Sequence, residues 1–332
     1  MIKYLGSKRL LIDPILEAVG GFTEARTVLD LFSGTSRVGH ALKRAGYRVI
    51  ANDHNAFART LAACYVAADA GKVGRDAESL IAELDRVPGE PGWFTKTYCV
   101  DARYFQPRNG ARIDAIREAI GARSLDPALE AVALTSLMEA ADRVDSTTGL
   151  QMAYLKKWAP RSFGELHLRV PELLPGPGEA HGLEAAEAAR TLPADVAYID
   201  PPYNQHSYLG NYHIWETLVR WDRPDVYGVA RKRADVRERG SAFNRRTTMR
   251  DALADVIAEV RARDLVVSFS DEGFLGREEL TAMLARRGEV EVREFDFKRY
   301  IGARIGIHNP AGVKVGTVGR LRNTEQLFLV RG

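Results

Sequence analysis

The stretch from Thr27 to Asp53 constrains this chain most. Thr27-Val28-Leu29-Asp30-Leu31-Phe32 has the composition of a buried strand, and Ser33–Gly39 is a glycine-containing turn. His40–Gly46 has helical composition with a glycine stop, and Arg48–Asp53 is a second strand-like run ending in an acid. The spacing predicts a βαβ unit, and a helical crossover between parallel strands places the chain in the α/β class. Asp53 lies about 20 residues beyond the turn, the spacing at which a carboxylate reaches a ribose hydroxyl. No Gly-Lys-Ser/Thr follows the turn, which excludes a P-loop. Ser36 stands between Gly34 and Gly39, so a full G-x-G-x-x-G is absent as well.

A second signal lies in the other half of the chain. Val196-Ala197-Tyr198-Ile199 reads as a short buried strand, and it delivers Asp200-Pro201-Pro202-Tyr203 to its carboxyl end. Ligands of open α/β sheets sit outside those ends. Two consecutive prolines fix φ and remove two backbone donors, so the strand stops in a short, stiff loop. Such a loop, with an acid at its start and an aromatic ring at its end, suits an amino-group acceptor site beside a stacking platform.

Between these signals the strand–helix alternation lapses. Asp76–Leu84, Ile113–Ile120 and Pro127–Arg143 read as helices, and Leu174-Pro175-Gly176-Pro177-Gly178 closes the region as a turn. We read 63–178 as an insertion within an α/β domain formed by 1–62 and 179–332. The sheet pattern resumes at Asp195–Ile199. It continues, after a helical stretch from Met249 to Arg263, with Asp264–Ser270, Val290–Phe297 and Leu327–Val330.

The formal net charge is only +3, so bulk charge does not select a nucleic-acid partner. Its distribution is more informative: residues 231–250 hold eight basic side chains against two acidic ones. That run suits phosphate contacts, or is a solvated loop. No apolar run reaches the length of a membrane span, and Met1–Gly6 lacks a signal peptide's apolar stretch. Cys64 and Cys99 form no metal or disulfide pattern, and His40 and His213 no ligand or catalytic pattern. The expectation is a cytoplasmic protein with no membrane contact and no metal.

Together the turn, the acids, the insertion, the strand-end tetrapeptide and the basic run resemble the Dam-like DNA adenine methyltransferases. These are the alpha-ordered amino-methyltransferases that use S-adenosylmethionine. The resemblance covers nearly the whole chain. Lys3–Arg9 is similar to the N-terminal cofactor motif. Leu29–Gly39 is similar to Asp-x-Phe-x-Gly-x-Gly with Ser36 replacing the second glycine, Asp53 to the ribose-binding acid, and Asp200–Tyr203 to the catalytic motif. Tyr208, Asn211-Tyr212-His213, Glu216, Phe269–Gly273 and Asp296–Tyr300 resemble segments that follow it.

The resemblance implies a Rossmann-like S-adenosylmethionine-dependent methyltransferase sheet with a largely helical target-recognition insertion. It implies that Tyr4, Lys8, Asp30, Phe32, Gly34, Asp53 and Asp200 bind the cofactor, and that Glu184 or Asp101 approaches its adenine. Asp200, Pro201, Pro202 and Tyr203 would be catalytic. Lys156, Lys157, Arg161, Arg231, Lys232, Arg233, Arg245 and Arg246 would contact double-stranded DNA. Phe243, inside the basic run, would approach DNA or pack locally. A cognate restriction enzyme and a monomeric state complete the expectation.

The chemistry of the tetrapeptide fits an exocyclic amine. A delocalised amino nitrogen must become tetrahedral to attack a methyl group. The Asp200 carboxylate and the Pro201 carbonyl could each accept one amino hydrogen bond and favour that geometry. A base inside a duplex would first have to flip out, with Tyr203 as its face partner. Cytosine N4 is an amine of the same kind and stays open as a target. Methylation at cytosine carbon 5 needs a nucleophilic cysteine, usually after a proline, and Ala63 and Tyr98 precede the two cysteines. A nicotinamide-dependent dehydrogenase would use Asp53 in the same way but lacks a hydride-transfer site. A catalytically inactive DNA-recognition subunit would not need an intact Asp200–Tyr203.

Overall fold

The computed structural model describes residues 1–298, 307–308, 314–316 and 322–332. Arg299 and Tyr300, the end of one segment of the family resemblance, lie outside the described residues. The strands are β1 (Thr27–Asp30), β2 (Arg48–Asn52), β3 (Gly178–His181), β4 (Ala194–Ile199), β5 (Val226–Tyr227), β6 (Lys232–Arg233), β7 (Ala262–Ser270), β8 (Glu289–Lys298), β9 (Ile307–His308), β10 (Lys314–Gly316) and β11 (Arg322–Arg331). Seven of them form one sheet in the order β3-β2-β1-β4-β7-β11-β8. Neighbours from β3 to β7 are parallel, and β11 enters antiparallel between β7 and β8.

The helices are α1 (Ile12–Gly20), α2 (Arg37–Arg44), α3 (Ala56–Ala62), α4 (Ala70–Leu84), α5 (Trp93–Thr95), α6 (Pro107–Gly121), α7 (Pro127–Arg143), α8 (Ala185–Thr191), α9 (Tyr208–Asn211), α10 (His213–Arg220), α11 (Met249–Glu259) and α12 (Arg277–Leu284). Alternate residues of each strand face opposite layers. Val28, Val49, Val196 and Val266 pack with Ile15 and Val19 of α1 and Leu42 of α2. Leu29, Ile50, Ala197 and Leu265 pack with Ala188 of α8, Leu253 and Val256 of α11 and Leu280 of α12. Both faces of the parallel strands are thus covered, which accounts for their continuous apolar sequences.

A further core gathers Leu61 of α3, Leu84 of α4, Ile113 and Ile116 of α6, Leu137 and Met138 of α7, and Trp215 and Leu218 of α10. The long helices of 63–178 therefore pack with α3 and α10, which flank them in sequence. Helix α7 begins where its residues dictate: Asp126 accepts a hydrogen bond from Ala128 N, and Pro127 takes the first turn. None of the helices among the described residues is long and apolar enough to cross a membrane.

Several boundaries differ from the sequence reading: α2 begins at Arg37 rather than His40, α4 at Ala70 rather than Asp76 and α6 at Pro107 rather than Ile113, and β11 runs over Arg322–Arg331 rather than Leu327–Val330. The sheet resumes at Gly178 rather than Asp195, because Gly178–His181 pairs in parallel with Val49–Asn52 as an edge strand. Its four residues are all half-buried and carry no apolar run. Helix α11 ends at Glu259, and the following strand starts at Ala262.

Candidate active site

Strand order reverses direction between β1 and β4: β2 and β3 lie on one side of this pair, and β7 and β11 on the other. A crevice opens at the carboxyl ends of such a pair. Asp30 ends β1, level with Tyr198 of β4, so Asp30 and Asp200 leave the sheet side by side. One cavity at this point is lined by Tyr4, Lys8, Asp30, Phe32, Gly34, Asp53, Asp200 and Pro202. The structure thus brings together all seven residues expected to bind the cofactor, with one of the catalytic four beside Asp200.

The turn after β1 is shaped by close approaches. Gly34 has φ +52°, and a Cβ there would lie 3.3 Å from the Tyr4 ring. Ser36 also adopts a left-handed conformation, φ 57°, where the family pattern has glycine. Its hydroxyl lies 2.9 Å from that of Ser33, a local bond across the turn. Gly39 lets α2 approach β1, since a Cβ there would sit 3.0 Å from Asp30 Oδ2. Its amide instead donates to that oxygen at 3.1 Å. Asp53 Oδ2 accepts from Gly34 N at 3.0 Å, and Oδ1 from Asn55 N at 2.9 Å. The acid at the end of β2 therefore braces the turn while lining the cavity.

Tyr4 stacks between Tyr208 and Tyr212, with ring centroids 5.0 and 4.6 Å away. Tyr208 is itself a lining residue. Part of the wall comes from the basic run after the tetrapeptide. Phe243 is buried, packs edge-on against Phe32 at 5.0 Å, and lines the cavity with Asn244 and Arg239. Phe243 is thus a packing residue of the wall. Asn244 Nδ2 donates to the carbonyls of Asn204 and His206, which ties this wall to the loop after Asp200.

The cavity concentrates negative charge. Burial lifts the Asp30 carboxyl to about 7 despite bonds from Ser33 and Gly39, and the fields of Asp200 and Asp53 add to the rise. Burial also raises Asp53 and Asp200 above the ordinary carboxylate range. Lys8 Nζ lies 3.0 Å from Asp200 Oδ1 and 2.5 Å from Glu325 Oε1. Burial would lower its pKa, but the two carboxylates raise it overall. Ser268 donates to the same Glu325 oxygen at 2.9 Å. No signal in the sequence tied Glu325 to the tetrapeptide: pairing of β11 with β7 brings it there.

Of the two acids weighed for the cofactor adenine, Glu184 lines the cavity and is bonded to His54 at 3.2 Å. Asp101 does not; it is paired with Lys96 and Arg231. Tyr203 and Pro201 do not line the cavity. Tyr203 packs on Phe269 at 5.9 Å, with the Lys8 ammonium 5.9 Å above its ring. Both cysteines are buried, and burial pushes the Cys64 thiol up to about 12 and raises Cys99 as well. Neither thiol lines the cavity, so neither is placed as a nucleophile. His213 is buried and held down to about 3 by desolvation.

The expected DNA-contacting residues differ in exposure and in their partners. Lys156, Lys157, Arg245 and Arg246 are exposed. Arg161 is tied to Asp145, and Arg231 to Asp101. Lys232 is half-buried in the β5–β6 ribbon. Arg233 departs from its expected role: it is 1% exposed, and Asp222 and Asp235 occupy its guanidinium. Its charge serves the fold of this segment and is not available to a phosphate.

Residues 4–283 match the model of the D12 class N6 adenine-specific DNA methyltransferases. The chain belongs to this family. It is 30% identical over 322 residues to the type II methyltransferase M.FokI of Planomicrobium okeanokoites, an alignment covering 90% of this chain and 50% of that protein. It is 27% identical to the modification methylase StsI of Streptococcus sanguinis, covering 90% and 49%. With the type II methyltransferase M.NlaIII of Neisseria lactamica the identity is 26%, covering 90% and 92%. The chain thus spans about half the length of the first two relatives. The family match ends before β8 and β11, so Glu325 lies beyond it.

Proposed function

We propose that this chain is a Dam-like, alpha-ordered methyltransferase that moves a methyl group from S-adenosylmethionine to N6 of an adenine flipped out of double-stranded DNA. The carrying observation is the cluster of Asp30, Asp53 and Asp200 around one cavity at the reversal of strand order. A cavity that holds three acids suits a ligand with a cationic centre, and the residues present fit a sulfonium nucleoside. Asp53 presents a carboxylate for ribose hydroxyls, while Phe32, Gly34 and Tyr4 shape the turn that the ligand would rest on. Glu184 with His54 supplies a polar edge for its base. S-adenosylmethionine, when bound, supplies an electrophilic methyl group.

Asp200 accepts an amino hydrogen bond from the target base, and the Pro201 carbonyl accepts the second. That pairing favours a pyramidal nitrogen and stabilises the positive charge that develops on it. Lys8 holds Asp200 in place and keeps its carboxylate ionised. The Tyr203 ring supplies a face partner for the base. The helices of 63–178 and the exposed cations Lys156, Lys157, Arg245 and Arg246 provide target recognition, with phosphate contacts from the cations. The named relatives support a setting of restriction and modification, in which a cognate restriction enzyme is the partner.

The test is expression in a host lacking DNA methylation, followed by modification-sensitive sequencing. The expected result is N6-methyladenine in one sequence context, lost with Asp200→Ala while cofactor binding stays within several-fold. N4-methylcytosine in a single context would overturn adenine as the target. Substantial turnover by Asp200→Ala would overturn the role of that carboxylate.

A further inference from the structure

Asp30, Asp53, Asp200 and Glu184 give the cavity an acidic lining. Lys8, Arg37, His54 and Arg239 are the basic side chains among its described lining residues. Lys8 is held by Asp200 and Glu325, His54 is bonded to Glu184, and Arg239 is held by Glu216 and Asp235. Arg37 has no ion-pair partner among the described residues. Its Nε is buried with no hydrogen-bond partner. Glu139, whose field reaches Arg37, is bonded instead to the Tyr65 hydroxyl and the chain's amino terminus. Arg9, also outside any ion pair among the described residues, lies close enough to lower the Arg37 pKa further, after the larger effect of burial. A lining cation with no bonded acid and a buried unpaired N–H, with the charge of Arg9 acting on it, is suited to an anion in an otherwise acidic cavity.

We propose that Arg37 binds the α-carboxylate of the amino-acid part of the cofactor. This rests on the S-adenosylmethionine reading. The ligand's cationic groups are matched by the acids, and its one anionic group is matched by Arg37, the basic lining residue with no bonded acid among the described residues. Arg37 is the first residue of α2, directly after the glycine turn, and it lines the cavity.

The test compares two ligands that share the nucleoside and differ in the amino acid. S-adenosylhomocysteine carries the carboxylate, and 5′-methylthioadenosine lacks the whole α-amino-acid end. Dissociation constants are measured by calorimetry for the full chain and for Arg37→Gln. The expected result is a loss of roughly ten-fold or more for S-adenosylhomocysteine, with less than about two-fold for 5′-methylthioadenosine. Equal losses for both ligands, or no loss for either, would overturn the proposal. So would unchanged nucleoside binding with weakened, less salt-dependent DNA binding, which would assign Arg37 to a phosphate. Arg37→Lys, with the charge kept and the buried N–H removed, should give an intermediate loss confined to S-adenosylhomocysteine. That variant carries the test if Arg37→Gln does not fold. Failure of the unaltered chain to bind S-adenosylhomocysteine at all would instead overturn the cofactor reading.

Discussion

Lys8 and Asp200 face each other at 3.0 Å, with Glu325 on the same ammonium. One cation thus serves two carboxylates in a buried setting, and their net charge is negative. Burial raises Asp200, Lys8 lowers it, and Glu325 raises it again. The two neighbours therefore act on Asp200 in opposite senses.

Activity that needs an ionised Asp200 should fall as pH drops through its raised pKa. Lys8→Gln removes the stabilising cation, so the acid limb of kcat/KM should move to higher pH. Glu325→Gln removes a repelling anion, so that limb should move to lower pH. The measurement is a pH profile of methyl transfer for the three proteins. Shifts of both variants in the same direction would show that the network does not tune Asp200.

Asp30 gives a stability prediction with an unusual sign. Its folded-state pKa is about 7 against an ordinary 3.8, so folding favours the protonated acid. The ionised form then costs stability that appears as pH rises between those values, on the order of 4 kcal/mol. Asp30→Asn keeps an oxygen for the Gly39 amide and removes the charge. The ligand-free variant should melt higher than the unaltered chain at pH 8 and close to it at pH 4. It should also bind S-adenosylmethionine more weakly, because the cationic ligand loses one acid. A melting gap that does not depend on pH would rule out the buried charge as its cause.

Much of this cavity could be read from the sequence because local rules place its parts. The turn of Ser33–Gly39 and the prolines after Asp200 end their strands by backbone chemistry, and a reversal in strand order brings strand ends together. What could not be read depends on partners distant in sequence. Gly178–His181 pairs with β2 as an edge strand, and its four half-buried residues carry no apolar run. Glu325 reaches Lys8 through the register of β11 on β7, 317 residues along the chain. Tyr203 is expected from the sequence as the face partner of a base, and its ring packs on Phe269 without lining the cavity.

That packing sharpens a comparison at Tyr203. Its ring fills space beside Phe269 and under the Lys8 ammonium, and burial raises its hydroxyl to about 12. Tyr203→Phe keeps the ring and should retain most of the activity. Tyr203→Ala removes the ring and should lose far more, since base–aromatic stacking contributes roughly 1–3 kcal/mol. Steady-state kinetics on one DNA substrate would decide it, and equal losses would exclude a role for the ring face.

The basic run separates into two kinds of arginine. Arg233 is bound by both oxygens of Asp222, at 2.6 and 2.7 Å, and by Asp235 at 2.9 and 3.0 Å. Removing it takes away the main partner of both acids and leaves Asp222 with Arg220 and Asp235 with Arg220 and Arg239, so Arg233→Ala should destabilise the fold by roughly 1–3 kcal/mol. Arg245 and Arg246 are exposed. Replacing both by alanine should shift stability by no more than about 0.5 kcal/mol each. If both contact phosphates, the slope of log K against log salt should flatten by about 1.8. Chemical denaturation and a salt series of DNA binding, run on the same two variants, test both halves. A stable Arg233→Ala with a flattened salt slope would reverse the assignment and return Arg233 to the DNA surface.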